Sequence, residues 1–291
     1  MIGCIVPAYI LEKIACRGAP HQKECALRTL IQTEQLRGQR SLLGRLGVLS
    51  EASFAGKKRN VYDAQDNYPL PGSLVRAEGD KRKKDIAVNE AYDGDGDLFG
   101  RFTQCLDIIG HELTHGTTQF EANLSYEGQS GALNESFSDV FGSLLKQYKR
   151  KQKAKEADWL IGEGLFTSKI KGKALRSLKA PGTAYDDPVL GKDPQPGRMK
   201  DYVKTAQDNG GVHLNSGIPN RAFYEAAVRL GGYAWRKAGR IWYITLKDRL
   251  RPNSDFRDTV RLTIAVAGEL FGKGSGEERA VKSAWRSVGI G

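Results

Sequence analysis

The sequence feature that most constrains this chain is the segment His111-Glu112-Leu113-Thr114-His115, which places two histidines four residues apart. On an α-helix, residues four apart lie on one face, so the two imidazoles can point at the same spot. Two imidazole nitrogens at this spacing suit one tetrahedral Zn²⁺ ion. Glu112 falls near the same face, where its carboxylate can take a proton from a water molecule on the metal. The alternative is an ordinary helix with two part-buried histidines.

A second segment, from Gly131 to Asp139, predicts another helix a short loop downstream. Glu135 offers a carboxylate as third protein ligand, which leaves the fourth position for water. Asp139 lies four residues further, on the same face, where it can accept the free N–H of a ligand histidine and fix its tautomer. The alternative for these two acids is a solvated helix face, against which the apolar neighbours Leu133 and Phe137 argue. The sequence therefore predicts a zinc site of two histidines and Glu135.

Taken together, these motifs resemble those of the thermolysin family of zinc endopeptidases. The match runs from about Val61 to the C-terminus and includes a third signature, Asp208–Asn220. Val6–Ile14 and Ala174–Pro196 look most like the protealysin branch of that family. The resemblance implies an α+β zincin fold, with a β-rich N-terminal domain, a central helix that carries the histidines and a mostly α-helical C-terminal domain.

The resemblance also implies roles for residues outside the two helices. Tyr126 is expected to donate a hydrogen bond to the developing oxyanion. His213, oriented by Asp208, is expected to donate a second one. Arg176 lies where the family has an arginine that holds the substrate carbonyl beside the scissile bond, a contact that a planar guanidinium suits. The alternatives are a packing tyrosine and a surface arginine.

Calcium is supported less well than zinc. Relatives with a double calcium site place carboxylates on the second helix and shortly after it. This chain has Lys146 and Leu160 at two of those positions, and it keeps Asp107, Asp158 and Glu163. A cation in place of a ligand argues against the calcium pair. Zinc is therefore the expected cofactor, and calcium binding is in doubt.

Three segments are expected along the chain. Residues 1–50 resemble the short propeptide of protealysin-like precursors, although Ala8 stands where that branch has a second proline. The alternative is a helical hairpin packed on the domain. A cut within Ser50–Lys58 would release the segment. Residues 51–118 are expected to form a shortened N-terminal α/β domain that ends in the zinc-binding helix, and residues 119–291 a helical C-terminal peptidase domain. Helices are predicted at Lys23–Gln39, Phe102–Phe120, Ala132–Lys151, Asn220–Arg229, Ala234–Leu246 and Asp255–Leu270.

The largest departure from the family lies between Ala91 and Phe102. Relatives carry a long stretch there, including an edge strand that pairs with the substrate backbone. Here Tyr92–Asp97 joins the two ends directly, through a natural deletion or an imperfect gene model, which leaves zinc chemistry plausible and puts peptide binding in doubt. An active endopeptidase is the main prediction, and a zinc-binding member with weak or no activity is the alternative.

The net charge of +11 raises a further alternative, a basic protein that binds nucleic acid. The basic runs Lys81–Lys84 and Lys149–Lys153 contain no interleaved aromatic residues, and no nucleic-acid fold motif accompanies them. A solvated basic surface is the better interpretation. The expected partners are a peptide or protein substrate, the chain's own propeptide or a protein inhibitor, with neither nucleic acid nor membrane.

The start of the chain does not resemble a Sec signal peptide. The apolar patch Ile2–Ile14 is interrupted by Pro7 and Glu12, and no cationic region precedes it. No apolar run approaches the roughly 20 residues of a membrane span. The protein is therefore expected to be cytoplasmic, or secreted by a non-classical route. Its cysteines lack C-x-x-C spacing and are expected to be free thiols.

Overall fold

The structure is a computed structural model that describes residues 6–31, 61–63, 73–76 and 98–291. Its helices are α1 (Ala8–Arg17), α2 (residues 20–31 in the described part), α3 (Leu106–Phe120), α4 (Gly128–Arg150), α5 (Asp208–Asn215), α6 (Gly217–Leu230), α7 (Ala238–Ile244), α8 (Phe256–Phe271) and α9 (Gly276–Ser287). Its strands are β1 (Val61–Asp63), β2 (Ser73–Arg76), β3 (Leu160–Ile161), β4 (Arg176–Ser177), β5 (Asp186–Asp187) and β6 (Gly191–Lys192). They form the antiparallel pairs β1–β2, β3–β4 and β5–β6.

The two central helices, α3 and α4, pack closely because glycines face each other where they cross. A Cβ atom on Gly110 of α3 would lie 2.9 Å from the Cα of Gly142 on α4. A Cβ on Gly142 would in turn overlap the carbonyl oxygen of Asp107. Since only a hydrogen atom fits at these two positions, the backbones can approach to a distance that larger side chains would prevent. This approach brings the candidate ligands of the two helices together.

Helix α4 is the hub of the fold and contacts α3, α5, α6, α7 and α8. It ends at Lys151, whose φ of 54° is the left-handed conformation typical of a helix C-terminus. Two basic residues, Lys149 and Arg150, occupy the last turn, where they complement the helix dipole. Its polar residues Asn134 and Asp139 are buried, so the alternative of a solvated helix face is wrong.

Large aromatic side chains form the core of the C-terminal half. Trp242 of α7 stacks on Trp285 of α9, with ring centroids 6.0 Å apart, and the Trp285 indole N–H donates to Thr263 at 2.9 Å. Phe223 of α6 lies edge-on to Trp242 at 5.1 Å and to Trp159 at 6.0 Å. This core holds helices α6 to α9 together and packs against α4.

The predicted helices are found with shifted ends. Helix α3 begins at Leu106, because Phe102–Gln104 forms a 3₁₀ turn, and α4 begins at Gly128, before the predicted Ala132. Beyond α7, the turn Thr245–Arg249 is a π-helix. Helix α9 was not predicted, although Ser275 caps it by accepting from the backbone N–H of Glu278. The α+β class with a mostly helical C-terminal half is confirmed.

Helix α1 packs on the C-terminal half through Ile10, Leu11 and Ile14, which are buried in the common hydrophobic core. The predicted release site at Ser50–Lys58 and the junction at Tyr92–Asp97 lie outside the described residues. Domain boundaries therefore stay predictions. No helix within the described ranges is both long and apolar enough to cross a membrane. The described cysteines, Cys16, Cys25 and Cys105, are free thiols.

Candidate metal centre

The two histidines of α3 point their rings at one another. The Nε2 atoms of His111 and His115 are 2.9 Å apart. His111 Nδ1 lies 2.8 Å from the carboxylate of Asp139, and His115 Nδ1 lies 2.8 Å from the amide oxygen of Asn134. Each Nδ1 therefore donates its proton outward, and each Nε2 turns a lone pair toward the other. Two lone pairs at this distance repel unless a cation lies between them.

Glu135 of α4 completes the set of ligand atoms. Its Oε2 is 3.4 Å from His111 Nε2, and its Oε1 is 3.5 Å from His115 Nε2. The three side chains are buried, and their ligand atoms all lie within 4.8 Å of one another. Glu135 Oε2 has no hydrogen-bond partner among the described residues, although it is buried. Two imidazole nitrogens and one carboxylate fit Zn²⁺ in a catalytic site, where three protein ligands leave the fourth position open for water.

The pKa values of Glu135 and His111 show which charge the metal centre favours. Burial opposes ionisation of Glu135, but His213 and His115 outweigh it and hold the pKa of that carboxyl well below its usual value. Burial also opposes protonation of His111, yet the hydrogen bond with Asp139 and the nearby carboxylate of Glu135 raise its pKa to about 10. The centre therefore favours a positive charge between these groups, which a metal ion supplies in place of a proton.

Asp139 holds His111 through the ring nitrogen that faces away from the metal position. Besides His111, its carboxylate accepts from Arg176, through Nε at 2.9 Å and Nη2 at 2.8 Å, and from the Asn220 amide at 2.8 Å. Burial alone would raise its pKa, but Arg176 and His111 lower it to about 2. The charged Asp139 holds the ring of His111 in one tautomer and one orientation.

Asn134 holds the second histidine in the same way, and sequence reasoning gave it no role. Its Oδ1 accepts from His115, while its Nδ2 donates to the carbonyl of Leu124 at 3.4 Å. The hydroxyl of Ser138 lies 3.2 Å from the same His115 nitrogen. Burial lowers the pKa of His115 to about 4. A signal was present, because asparagine is a weak helix former and usually needs a side-chain partner inside a helix.

Glu112 stands beside the ligands without joining them. Its Oε1 is buried and has no hydrogen-bond partner in the described part of the chain. Burial raises the pKa of this carboxyl, and neighbouring His111 lowers it by a smaller amount. An unpartnered carboxylate next to the metal position is free to exchange a proton with a bound water or substrate.

Tyr126 and His213 approach the centre from the opposite side. The Tyr126 hydroxyl donates to Glu135 Oε1 and lies 3.3 Å from His213 Nε2. His213 Nε2 is 3.5 Å from Glu135 Oε2. Both side chains therefore present polar hydrogens within reach of a substrate at the metal position.

A left-handed turn delivers His213 to this place. Four consecutive residues, Asp208, Asn209, Gly210 and Gly211, have φ between 49° and 80°. Aspartate, asparagine and glycine are the residues that tolerate this conformation best. Asp208 accepts from the His213 backbone N–H at 2.9 Å and lies 2.7 Å from its Nδ1. Burial opposes protonation of His213, but Asp208 and Glu135 raise its pKa.

Arg176 is buried, with 1% of its surface exposed, so it is not a surface arginine. It lies in β4, whose pairing with β3 places it under the metal centre. Two of its nitrogens bind the Asp139 carboxylate as a fork. That geometry matches the bidentate pairing for which a guanidinium is suited, with Asp139 as the partner found here.

The residues considered for calcium form an ion-pair cluster at the far end of α3 and α4. Lys146 Nζ lies 2.9 Å from Asp107 Oδ2 and 2.8 Å from Asp158 Oδ1, and it donates to the carbonyl of Leu160 at 2.6 Å. Arg150 joins Asp158 to Glu163 at 3.0 and 3.1 Å. An ammonium group thus occupies the middle of these carboxylates.

The fold and the site together define a metallopeptidase, with two histidines and a glutamate on adjacent helices and an unpartnered acid beside them. Residues 122–290 match the family described as the alpha-helical domain of thermolysin metallopeptidases. This chain belongs to the thermolysin family of zinc-dependent endopeptidases.

Relatives match over almost the whole chain. An extracellular metalloprotease of Pectobacterium carotovorum subsp. carotovorum is 44% identical over 339 aligned residues, which cover 99% of this chain and 96% of that protein. Protease PrtS of Photorhabdus sp. (strain Az29) is 41% identical, over 98% and 91%. The solved precursor of protealysin, a metalloproteinase from Serratia proteamaculans, has a TM-score of 0.83 and 45% identity, over 99% of both chains. The predicted family and its protealysin-like branch are confirmed.

The same comparisons correct the predicted location. The expectation of a cytoplasmic protein is wrong, because its relatives are named as extracellular enzymes. They include the Pectobacterium protein and an extracellular minor metalloprotease of Serratia marcescens (strain ATCC 21074 / E-15), 41% identical over 86% of this chain. The prediction rested on the lack of a Sec signal peptide, which does not establish where a protein acts.

Proposed function

We propose that this protein hydrolyses internal peptide bonds at the centre formed by His111, His115 and Glu135, with Glu112 as general base. The observation that carries the proposal is the convergence of two imidazole lone pairs and a buried carboxylate oxygen without a partner. Zinc, when bound there, lowers the pKa of a water molecule toward about 7 and polarises the substrate carbonyl. The chain's own residues supply the remaining parts of the reaction.

Glu112 takes a proton from the attacking water and passes it to the leaving nitrogen. Its position fits that role, because its carboxylate is adjacent to the ligands and is held by no hydrogen bond within the described residues. Its raised pKa, caused chiefly by burial, makes it a better proton acceptor than an exposed glutamate. The same group can therefore serve as base and then as acid.

Tyr126 and His213 stabilise the negative charge that develops on the carbonyl oxygen. Both have polar atoms close to Glu135 and to each other, at the edge of the centre. The raised pKa of His213 keeps a proton available for donation. Preorganised donors of this kind account for a large part of the catalysis in acyl transfer.

Arg176 and Asp139 are proposed as positioning residues behind His111. The salt bridge between them is buried on both sides, and Asn220 adds a third contact to the same carboxylate. We also retain the predicted contact of Arg176 with a substrate carbonyl as a role for the guanidinium beyond its fork to Asp139. A displaced Asp139 would turn the ring of His111 and weaken metal binding about 10- to 100-fold.

The first 50 residues are proposed to be a propeptide that covers the cleft until it is cut. Supporting this, α1 packs into the hydrophobic core, and a solved relative that matches over 99% of both chains is a precursor. Tyr9 of α1 is half-buried near Tyr185 with its hydroxyl group buried, and burial holds the pKa of its phenol well above the usual value. Residues 51–118 and 119–291 are proposed as the two lobes of the mature enzyme. As its relatives' names suggest, we propose that it acts outside the cell.

A second candidate is a zinc-binding member with little activity. The 339-residue alignment is longer than this 291-residue chain, so the Pectobacterium protein has residues that face gaps here. If these residues form the substrate-binding edge, peptide binding would be weak while the metal centre persisted.

A fluorogenic peptide assay with metal analysis separates these functions. Wild type should cleave the peptide, and Glu112→Gln should retain zinc and lose about 10²- to 10⁴-fold in kcat. Glu121→Gln, an exposed position at the end of the same helix, is the matched control and should behave like wild type. Equal background turnover in wild type and Glu112→Gln, with one zinc bound to each, would leave only the weakly active alternative.

A further inference from the structure

A cavity of about 490 Å³ lies outside the metal centre. It opens where the segment 181–201 passes the first turns of α6. We call it the basic cavity, because four cationic side chains line it: Lys192, Arg198, Lys200 and Arg221. Three prolines, Pro181, Pro194 and Pro196, form part of its wall and restrict the backbone there.

The four cations of the basic cavity outnumber the two acids in its lining, Asp193 and Asp201. Lys192, Arg198 and Lys200 are exposed and form no ion pair within the described ranges. Of the two acids in the lining, Asp193 is 4% exposed and uses its carboxylate to accept backbone N–H groups, including that of Gln195 at 3.1 Å. Its charge is therefore directed into the loop and is not available to the cations at the opening.

Arg221 is the key residue of the wall. Its Nε is buried and has no hydrogen-bond partner in the part of the chain that the structure describes. The nearest carboxylate oxygen, on Glu225, is 4.0 Å away, and the other oxygen of Glu225 pairs with Arg229. A Cβ on Gly197 would lie 3.2 Å from Arg221 Nη1, so the glycine leaves room for the guanidinium. A donor without an acceptor is unfavourable, and a bound anion would supply the acceptor.

Gln195 connects the basic cavity to the element that carries His213. It is 3% exposed, and its Nε2 donates to the His213 carbonyl at 2.6 Å and to Ser216 Oγ at 3.1 Å. Its Oε1 has no partner among the described residues. The inner wall is thus a fixed part of the structure next to α5.

We propose that the basic cavity binds one anionic group, a phosphate or a carboxylate, through Arg221 and the surrounding cations. A guanidinium presents paired N–H donors that match both groups. The anion can come from solution, or from an acidic side chain of a polypeptide. This binding site is separate from the metal centre and does not depend on peptidase activity.

Calorimetric titration of the zinc-loaded full chain with inorganic phosphate, at constant ionic strength, tests the proposal. Arg221→Gln should weaken binding about tenfold, as expected for the loss of one charge-assisted contact. Arg257→Gln is the matched control, because it removes the same charge at an exposed position of α8 outside the cavity. Phosphate that binds to zinc contributes equally in all three proteins, so only the difference reports on the cavity.

Two additions keep the test decisive. Lys200→Gln, at an exposed position, should weaken binding in the same direction, and it serves if thermal unfolding shows that Arg221→Gln is misfolded. A tetrapeptide of D-glutamate, which resists cleavage, is compared with one of D-glutamine as a competitor of phosphate. Displacement by the glutamate peptide alone assigns the site to acidic polypeptides, and no displacement assigns it to free anions. The proposal is wrong if neither phosphate nor the glutamate peptide binds wild type more tightly than it binds the folded cavity variants, Arg221→Gln and Lys200→Gln.

Discussion

Two groups of acids lie beside the same pair of helices, α3 and α4, and they are neutralised in different ways. In the metal centre, Glu135 faces two imidazole lone pairs and keeps one oxygen without a partner. At the other end, Lys146 places its ammonium group between Asp107 and Asp158. The first group requires a cation from outside the chain, and the second obtains one from the chain itself.

The difference shows how one scaffold separates function from stability. A side-chain cation is permanent and fills its position, so the Lys146 cluster ties α4 to the segment that contains β3 without exchanging anything with solvent. A metal ion leaves a coordination position open for a substrate. The metal centre therefore stays reactive, while the Lys146 cluster is closed.

The largest effect is expected when the metal ligand on α4 is removed. Glu135→Gln should lower bound zinc from one ion per chain to nearly none and reduce kcat/KM by at least about a thousandfold, because the carboxylate supplies both a ligand and its charge. Metal analysis after desalting, together with the peptide assay, measures both. Glu127→Gln, at the exposed start of α4, is the control and should keep its zinc. Full zinc occupancy in Glu135→Gln would contradict the ligand assignment.

The Lys146 cluster should respond in stability and leave metal binding unchanged. Lys146→Met leaves Asp107 buried without its cation, which should lower the free energy of unfolding by about 3–5 kcal/mol. Chemical denaturation measures the change. Lys149→Met, exposed on the same helix, should change it by less than about 0.5 kcal/mol. If added calcium stabilises wild type as much as it stabilises Lys146→Met, then the ammonium does not occupy the cation position.

The close approach of α3 and α4 links the two regions and can be tested at one glycine. Gly110→Ala would place a methyl group 2.9 Å from Gly142 Cα, so the helices must separate at a cost of about 1–3 kcal/mol. Zinc affinity should fall with stability, because the ligands sit on both helices. Gly276→Ala, at a helix position where an added methyl group meets no atom within 4 Å, is the control and should leave both properties unchanged. Unchanged zinc affinity in Gly110→Ala would contradict the argument.

The smallest effect is expected in the pH dependence of activity. Asp208 and Glu135 raise the pKa of His213 against burial, so its protonated form persists at low pH and is lost as pH rises through that raised value. Asp208→Asn removes one of these charges and lowers the pKa, so the alkaline fall in kcat/KM should move to lower pH. Activity at the optimum should decrease about tenfold. An alkaline limb at the same pH in both proteins would exclude His213 as the titrating group.

Local patterns made much of the metal centre predictable. That His111 and His115 share one helical face follows directly from helical periodicity, and the structure brings the ligand atom of Glu135 to them. The positive-φ turn before His213 could be read from Asp-Asn-Gly-Gly for the same local reason. Helix ends were less well predicted, because the 3₁₀ turn at Phe102–Gln104 depends on packing as well as on propensity.

Spacing along a single element was enough to identify the residues that could bind a metal and to place His111 and His115 on one helical face. The packing of separate elements was needed to show that Asn134 orients His115, that Arg176 is buried against Asp139, and that α3 and α4 come close enough for three ligands to meet. Such contacts join residues far apart in the chain, and their energies depend on burial and on the exact partner, which no local pattern specifies.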